Sequence, residues 1–334
     1  MPFRVLITDY AWPNLDLERA ILNEVGAEIL IAPTGSAEEI VALAADADAI
    51  LTCWKQVPSA ALDAATRCCI VSRYGIGLDN IPVAHATELG IVVTNVPDFC
   101  LDEVAEHTLA LLMACARRIV PFVDHTRTGE WSQTGARGMP RLSGQTLGLV
   151  GYGNIAQSVA TRARALGLQI VAYTPRIAPD ALAPWGRATN QLDELLAQSD
   201  YVSLHLPLNE TTRGLIDADA LAKMKPSAYL INTSRGAIID EPALLDALDH
   251  GQIAGAAIDV MGSEPPPPDH PLLHHPRVIA TPHVAFYSEA AIVDLATKAA
   301  RHVAQALRGE VPDRVVNREV LPQPNLRLGK FQRS

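Results

Sequence analysis

The 334-residue sequence is short of positive charge. Its 27 Lys and Arg residues face 37 Asp and Glu, a formal net charge of −10. A chain with that deficit lacks the basic face that a sequence-independent grip on nucleic acid requires. An anionic ligand held locally by one Arg remains open. Long apolar runs are also missing, and none reaches the roughly 18 residues of a membrane span. Cysteine is sparse: the five residues Cys53, Cys68, Cys69, Cys100 and Cys115 form neither a disulfide framework nor a C-x-x-C metal pattern. They read as reduced thiols. The chain runs into an apolar strand at Phe3 without a charged and apolar leader. The expectation is a soluble, cytoplasmic protein with no membrane or nucleic-acid partner. A metal is not expected either. His270, His274 and His275 cluster in DHPLLHHP, but no carboxylate or Cys partners stand at ligand spacing.

What is present is ordinary globular chemistry, 49% hydrophobic and 19% charged, in a length that suggests about two domains. Residues 3–93 alternate apolar runs (Phe3–Thr8, Glu28–Ile31, Ala49–Thr52, Cys69–Ser72, Ile91–Thr94) with helical segments. One of those segments opens on a capping box, Ser36 with Glu39 three residues on. Repeated βα units imply an open parallel sheet covered by helices. After Pro97 a long helical pattern runs from Leu101 to about Thr126, with Val104, Leu109, Leu111, Leu112 and Met113 on more than one stripe. Burial against a second subunit is the expected reason. Further βα units follow to about residue 285, a closing helix Ser288–Leu307 crosses back, and the Pro- and Arg-containing tail 321–334 reads as loosely ordered. The expected fold is α/β with two doubly wound parallel-sheet domains, one discontinuous (1–99 plus 286–334) and one inserted (100–285).

The most informative stretch is Thr146–Thr174. An apolar run, Leu147–Val150, precedes Gly151, Gly153 and Ala156 in the spacing G-x-G-x-x-A, followed by a helical pattern and a second strand, Gln169–Tyr173. Strand, tight turn, helix and strand form the setting in which this motif binds a dinucleotide, as in the Rossmann fold. Gly151 permits the turn, Gly153 lets backbone approach a pyrophosphate, and Ala156 keeps helix near strand. The helix N-terminus, at Asn154 and Ile155, offers N–H groups and a positive dipole end. The acid expected some 20 residues on, which would hold the ribose 2′-OH of NAD, is replaced by Thr174, with Arg176 two further along. That pair favours NADP(H) over NAD(H).

Three polar segments interrupt the βα pattern just after later strands: Asn232-Thr233-Ser234-Arg235-Gly236, Asp259 to Pro265 containing Glu264, and Thr281-Pro282-His283. They should open on the sheet edge that carries the G-x-G turn. One guanidinium, one carboxylate and one imidazole beside a dinucleotide suit hydride transfer to a 2-oxo acid. Arg235 would hold the carboxylate bidentately, His283 would give the proton to the developing alkoxide, and Glu264 would orient the ring. Singly, Arg235 is more often a surface ion-pair residue, Glu264 more often solvated loop and His283 often a satisfied loop histidine; their shared position relative to the turn raises all three. In the first half, Cys53-Trp54-Lys55 and the glycine-containing Arg73–Gly77 also follow strands.

At this point the sequence resembles the D-isomer-specific 2-hydroxyacid dehydrogenase family over nearly its whole length. The resemblance is carried by RYGIGLDNI (73–81), NVPDFCLDEVAEHTLALL (95–112), GLVGYGNIAQSVA (148–160), INTSRGAIIDEPALLDAL (231–248), DVMGSEP (259–265) and TPHVAFYSEAA (281–291). Two of these look most like the branch of the C-terminal-binding-protein corepressors and their bacterial relatives. The resemblance implies Arg235 as carboxylate binder, His283 as general acid/base with Glu264 as partner, and a flavodoxin-like substrate domain. It implies cofactor contacts at Thr108, Asn154, Ile155, Pro207, Thr212, Thr233, Ser234 and Asp259. Ile76 and Gly77 N–H groups would meet the substrate carboxylate, and Trp54, Lys55 and Phe286 would line the pocket. It also implies a homodimer built on the helix after Pro97. The expected activity is NAD(P)-dependent reduction of a small 2-oxo acid such as glyoxylate or hydroxypyruvate; the alternative is a cofactor-sensing, corepressor-like binding protein. Formate and phosphite oxidation on the same fold are disfavoured by Glu264, where formate-oxidising relatives pair the His with an amide, and by Ile76, where phosphite-oxidising ones place a Lys.

Overall fold

The computed structural model describes residues 2–174, 178, 180, 182, 184 and 186–330. Arg176, to which the cofactor preference was partly assigned, lies outside the described residues. The chain divides into two compact units, Met1–Cys100 with Ser288–Ser334, and Leu101–Tyr287. Elements are numbered in chain order.

The first unit holds β1 (Phe3–Ile7), α1 (Asp16–Asn23), β2 (Ala27–Ile31), α2 (Ala37–Ala44), β3 (Ala49–Thr52), α3 (Ser59–Ala64), β4 (Ile70–Arg73), α4 (Val83–Glu88), β5 (Val92–Thr94) and α12 (Glu289–Leu307). Its sheet is wholly parallel in the order β2-β1-β3-β4-β5, a flavodoxin-like arrangement. β1, β3, β4 and β5 are short and largely buried, their inner positions mostly apolar, because helices cover both faces. Leu6, Ile50, Val71 and Val93 pack with Ile40, Leu62 and Ile91 on one face, and α12 lies against α1, β3 and β4. The capping box forms in part. Ser36 Oγ accepts from Glu39 N at 3.3 Å, but the Glu39 carboxylate accepts from the N–H groups of Thr34 and Gly35 rather than that of Ser36.

The tail departs from expectation. Arg327 N donates to Gly90 O at 2.8 Å, and its Nη1 donates to Ala65 O at 2.7 Å. Asn317, 1% exposed, accepts from Val93 N and donates to Thr87 Oγ1 and Ile91 O. Asn317, Asn325 and Arg327 therefore tie this segment to the ends of α3, α4 and β5. The reason is a set of open carbonyls at those element ends, which long polar side chains from the tail satisfy; composition alone does not reveal it.

The second unit holds α5 (Leu101–Ala116), α6 (Ile119–Arg127), β6 (Thr146–Val150), α7 (Asn154–Ala165), β7 (Gln169–Tyr173), β8 (Gly186–Thr189), α8 (Leu192–Gln198), β9 (Tyr201–Leu204), α9 (Ala218–Ala222), β10 (Tyr229–Asn232), α10 (Glu241–Asp249), β11 (Gly255–Ile258), α11 (Pro271–His274) and β12 (Val278–Ala280). All seven strands are parallel, in the order β12-β11-β10-β9-β6-β7-β8. Strand order reverses between β6 and β9, the switch point at which open α/β sheets bind ligands. Successive strand residues serve opposite cores, as the period of two requires. Val150, Val202, Leu204, Leu230 and Ile258 face α8 to α10, while Leu147, Leu149, Tyr201, Ile231 and Ala257 face α5 and α7.

The long pattern after Pro97 is two helices rather than one. Arg118 adopts a left-handed conformation, φ 49°, between α5 and α6, and Pro121 in the first turn of α6 has no N–H to bond the carbonyl four residues back; Arg118 Nη1 donates to Gly135 O at 2.5 Å. The apolar excess of α5 is used inside its own unit, where it packs on α7, β10 and β11 and buries Val104, Leu111, Leu112 and Cys115. Residues 209–214 form a turn in which Asn209 Oδ1 accepts from Thr211 N and Thr212 N.

Candidate active site

The turn after β6 is dictated by a collision. Gly151 has φ +96°, and a Cβ there would stand 2.5 Å from His205 O; no other residue fits. His205 N in turn donates to Val150 O at 2.8 Å, locking the ends of β6 and β9 together at the switch point. Gly153 is glycine for a different reason. A Cβ at that position would meet nothing of this chain within 4 Å, so packing does not require its bareness. It is the N-cap of α7 and no side chain caps that helix, which leaves its first N–H groups, including those of Asn154 and Ile155, turned to an open cradle. Ala156 is fully buried, as close helix–sheet packing needs. A bare cradle before an uncapped 12-residue helix fits a pyrophosphate.

The Arg235 loop leaves β10 through Asn232, fully buried, whose Oδ1 accepts from Ser234 N at 3.0 Å and whose Nδ2 donates to Arg235 O at 2.9 Å. Ser234 Oγ donates to Leu204 O. Gly236 then meets the next loop so closely that a Cβ would lie 1.9 Å from Met261 C. That contact brings the Arg235 and Glu264 loops side by side. Glu264 Oε1 accepts from Met261 N at 2.9 Å, and Oε2 lies 2.5 Å from His283 Nδ1. Burial would raise the Glu264 carboxyl, but the hydrogen bond and charge of His283, the Met261 N–H and the Arg235 guanidinium together hold it below the ordinary carboxylate value. Arg235, Glu264 and His283 are thus one cluster, as expected from sequence. The carboxylate accepts the Nδ1 proton, so Nε2 is the nitrogen left for exchange. The Phe286 ring stands edge-on to His283, centroids 6.2 Å apart.

The remaining residues are placed less uniformly. Thr233 Oγ1 lies 2.9 Å from Thr108 Oγ1, which itself donates to Val104 O, so the two threonines join α5 to the Arg235 loop. Thr212 Oγ1 donates to Pro207 O at 2.7 Å, shaping the loop after β9. Thr174 follows β7, its N–H donating to Thr189 O at 2.9 Å. Asp259 is 1% exposed and its carboxylate accepts from Thr281 Oγ1, Val284 N and Ala285 N. His270 and His275 pair with Glu241 and Asp249, and His274 meets Pro268 O.

In the first unit Asp9, which no pattern marks in sequence, organises the loop after β3. Its carboxylate accepts from Cys53 N at 2.9 Å, Trp54 N at 2.7 Å and Lys55 N at 3.2 Å. Trp54, 43% exposed, and Lys55 are therefore presented on a rigid loop. Asn80, 5% exposed, ties that loop to the one after β4, donating to Cys53 O and Lys55 O while accepting from Arg73 Nε. Asn95 Nδ2 donates to Ile76 O at 2.8 Å. Burial pushes the Cys53, Cys68 and Cys115 thiols up to about 12, so they are not nucleophiles at neutral pH.

A family model, the NAD-binding domain of D-isomer specific 2-hydroxyacid dehydrogenases, matches residues 109–285. The chain belongs to this family. It is 38% identical over 331 residues to a D-3-phosphoglycerate dehydrogenase of Methanocaldococcus jannaschii, covering 98% of this chain and 62% of that protein. It is 40% identical over 296 residues to a glyoxylate reductase of Thermofilum pendens, covering 86% of each. Among solved structures, an NADPH-dependent glyoxylate/hydroxypyruvate reductase of Sinorhizobium meliloti, in complex with NADP and malonate, superposes with a TM-score of 0.84 at 28% identity, covering 100% of this chain and 99% of that one. Among the described residues, no helix is long and apolar enough to cross a membrane.

His205 gives a test of the family fold's switch point. Burial of its ring pushes its pKa down from 6.5 to about 4, and Ser203 Oγ is its partner at 2.9 Å. The folded state keeps it neutral where the unfolded chain takes up a proton, so stability falls as pH drops from 6.5 to about 4. Urea unfolding across this window should show that loss, and His205→Gln should flatten the slope; an unchanged slope would contradict the assignment.

Proposed function

We propose that this chain is an NAD(P)-dependent reductase of a small 2-oxo acid, acting reversibly on the matching D-2-hydroxy acid. The observation that carries the reading is the Glu264–His283 pair at 2.5 Å beside the Arg235 charge, in the unit that holds the dinucleotide turn. A bound nicotinamide supplies the hydride. Arg235 holds the substrate carboxylate and polarises the neighbouring carbonyl. His283 Nε2 gives the proton to the alkoxide oxygen as it forms, and takes it back in the oxidation direction. Glu264 fixes the ring and balances the imidazolium. Ile76 and Gly77 N–H groups, Trp54, Lys55 and Phe286 are assigned to the substrate, and Thr108, Pro207, Thr212, Thr233, Ser234 and Asp259 to shaping the cofactor site. The names of the relatives support glyoxylate or a 3-carbon hydroxy acid as the class to try first.

A panel of 2-oxo acids with both reduced cofactors tests the reading. His283→Ala should lower kcat by about 10²–10⁴, the range of general acid catalysis, while cofactor affinity stays within about twofold. Persisting turnover would remove His283 from the role of proton donor. Absence of any turnover in the native protein, together with cofactor-dependent partner capture, would favour the binding-protein alternative.

NADP(H) is assigned as the preferred cofactor. Thr174 replaces the acid that would repel a 2′-phosphate, and the Sinorhizobium reductase named above uses NADPH. kcat/KM should be higher with NADPH than with NADH, and Thr174→Asp should shift the ratio towards NADH by roughly tenfold. A tenfold native advantage for NADH would defeat the assignment.

The protein is assigned as a homodimer, through α6 and the segment after it rather than through α5. α6 buries none of its residues, leaving Ile119, Val120 and Val123 38–49% exposed and Trp131 92% exposed. Apolar side chains grouped in this way mark an association surface. Light scattering should give twice the chain mass of 35.8 kDa, and Val123→Glu with Trp131→Glu should return the monomer.

A further inference from the structure

His283 has φ +53°, a left-handed conformation that a non-glycine residue keeps only where its surroundings impose it. The groups that impose it are Asp259, assigned above to the cofactor site, and Thr281, which has been given no role. His283 N donates to Asp259 O at 2.7 Å and to Thr281 O at 3.0 Å. The next two N–H groups, of Val284 and Ala285, donate to the Asp259 carboxylate at 3.0 and 2.9 Å. Three consecutive residues thus turn around one buried acid.

That acid is itself held. Thr281 Oγ1 stands 2.5 Å from Asp259 Oδ1, and since a carboxylate only accepts, the single hydroxyl proton is committed there. Thr281 Oγ1 must then accept from His107 Nε2, 3.0 Å away. The same Nε2 is 3.6 Å from Asp259 Oδ1. The direction of the chain is therefore determined: His107 Nε2–H to Thr281 Oγ1–H to Asp259, with the His283 loop hung on the far side. His107 belongs to α5, and its neighbour Thr108 meets Thr233 on the Arg235 loop at 2.9 Å. Adjacent residues of one helix are tied to the loops of the proposed carboxylate binder and the proposed proton donor.

We propose that His107 and Thr281 are positioning residues: through Asp259 they hold His283 in its left-handed conformation, and α5 sets the spacing between His283 and Arg235. This rests on the 2-oxo acid reductase reading for its kinetic test. Thr281→Val keeps the shape and removes the hydroxyl, so kcat should fall roughly tenfold to a hundredfold, the scale of a small misplacement of a reacting group. KM for the 2-oxo acid and NADPH affinity, measured by fluorescence titration, should stay within about twofold. Thr281→Ser, which restores the hydroxyl, should recover kcat to within about threefold. His107→Ala, on a partly exposed face of α5, should lower kcat in the same sense. Native kcat in Thr281→Val, or equal loss in Thr281→Ser, overturns the proposal. If Thr281→Val fails to fold, the His107→Ala result decides, and unchanged kcat there overturns it. If the native protein turns over no 2-oxo acid, the reductase reading fails on its own. The positioning role is then judged by a crystal structure of His107→Ala or Thr281→Val, where His283 is expected to leave positive φ; retention of the native loop overturns the proposal.

Discussion

All seven strands of the second unit run the same way, and the candidate chemistry depends on that constraint. A parallel sheet delivers every strand's C-terminal end to one edge, so the loops after β6, β9, β10, β11 and β12 have to gather there. The strands interchange nothing along their length but backbone hydrogen bonds and apolar packing on two faces. The few polar residues buried within the strands, such as Ser203 and Asn232, are hydrogen-bonded inside the protein, so polar groups that could meet a ligand stand past the strand ends. Gly151, Arg235, Glu264 and His283 all stand just past such an end, which is why four residues scattered over 133 positions can address one site.

The edge collects the loops; close backbone contacts fix them. Gly151 against His205 O, and Gly236 against Met261 C, are approaches that no side chain tolerates. The first holds β6 to β9 at the switch point, the second holds the guanidinium loop against the carboxylate loop. Gly153 is the instructive contrast, since nothing in the chain crowds it. Two glycines of one motif thus stand in opposite surroundings: protein crowds Gly151, while nothing of this chain meets Gly153, where the proposed function places the pyrophosphate.

Much of this was legible in the sequence because it depends on local order. The strand–turn–helix setting of Gly151, Gly153 and Ala156, the apolar strands, and the polar residues after strands are all periodic or positional signals. What escaped depends on contacts distant in sequence. Asp9 caps a loop 44 to 46 residues away, Asn317 completes an element end 224 residues before it, and β8 is a four-residue edge strand, GRAT, without a strong apolar run. The break near Arg118 does carry a local mark: Pro121, three residues on, has no N–H with which to continue the helix from α5, whereas the left-handed turn at Arg118 itself has none.

α5 shows how an apolar surplus can mislead. Its composition suggested a partner subunit, yet a helix covering a parallel sheet also touches its flanking helix, so it must be apolar over more than one stripe. Leu111, Leu112 and Cys115 meet that demand inside the unit. The demand continues at its polar positions. His107 and Thr108 lie where the helix passes the ends of β10 and β12, and there a hydrogen-bonding side chain reaches a loop that an apolar one could not hold. At the level of the sheet edge α5 is thus polar for the same reason that it is apolar along the rest of its buried face: each position matches what the sheet presents at that depth, packed strands below and polar loops above.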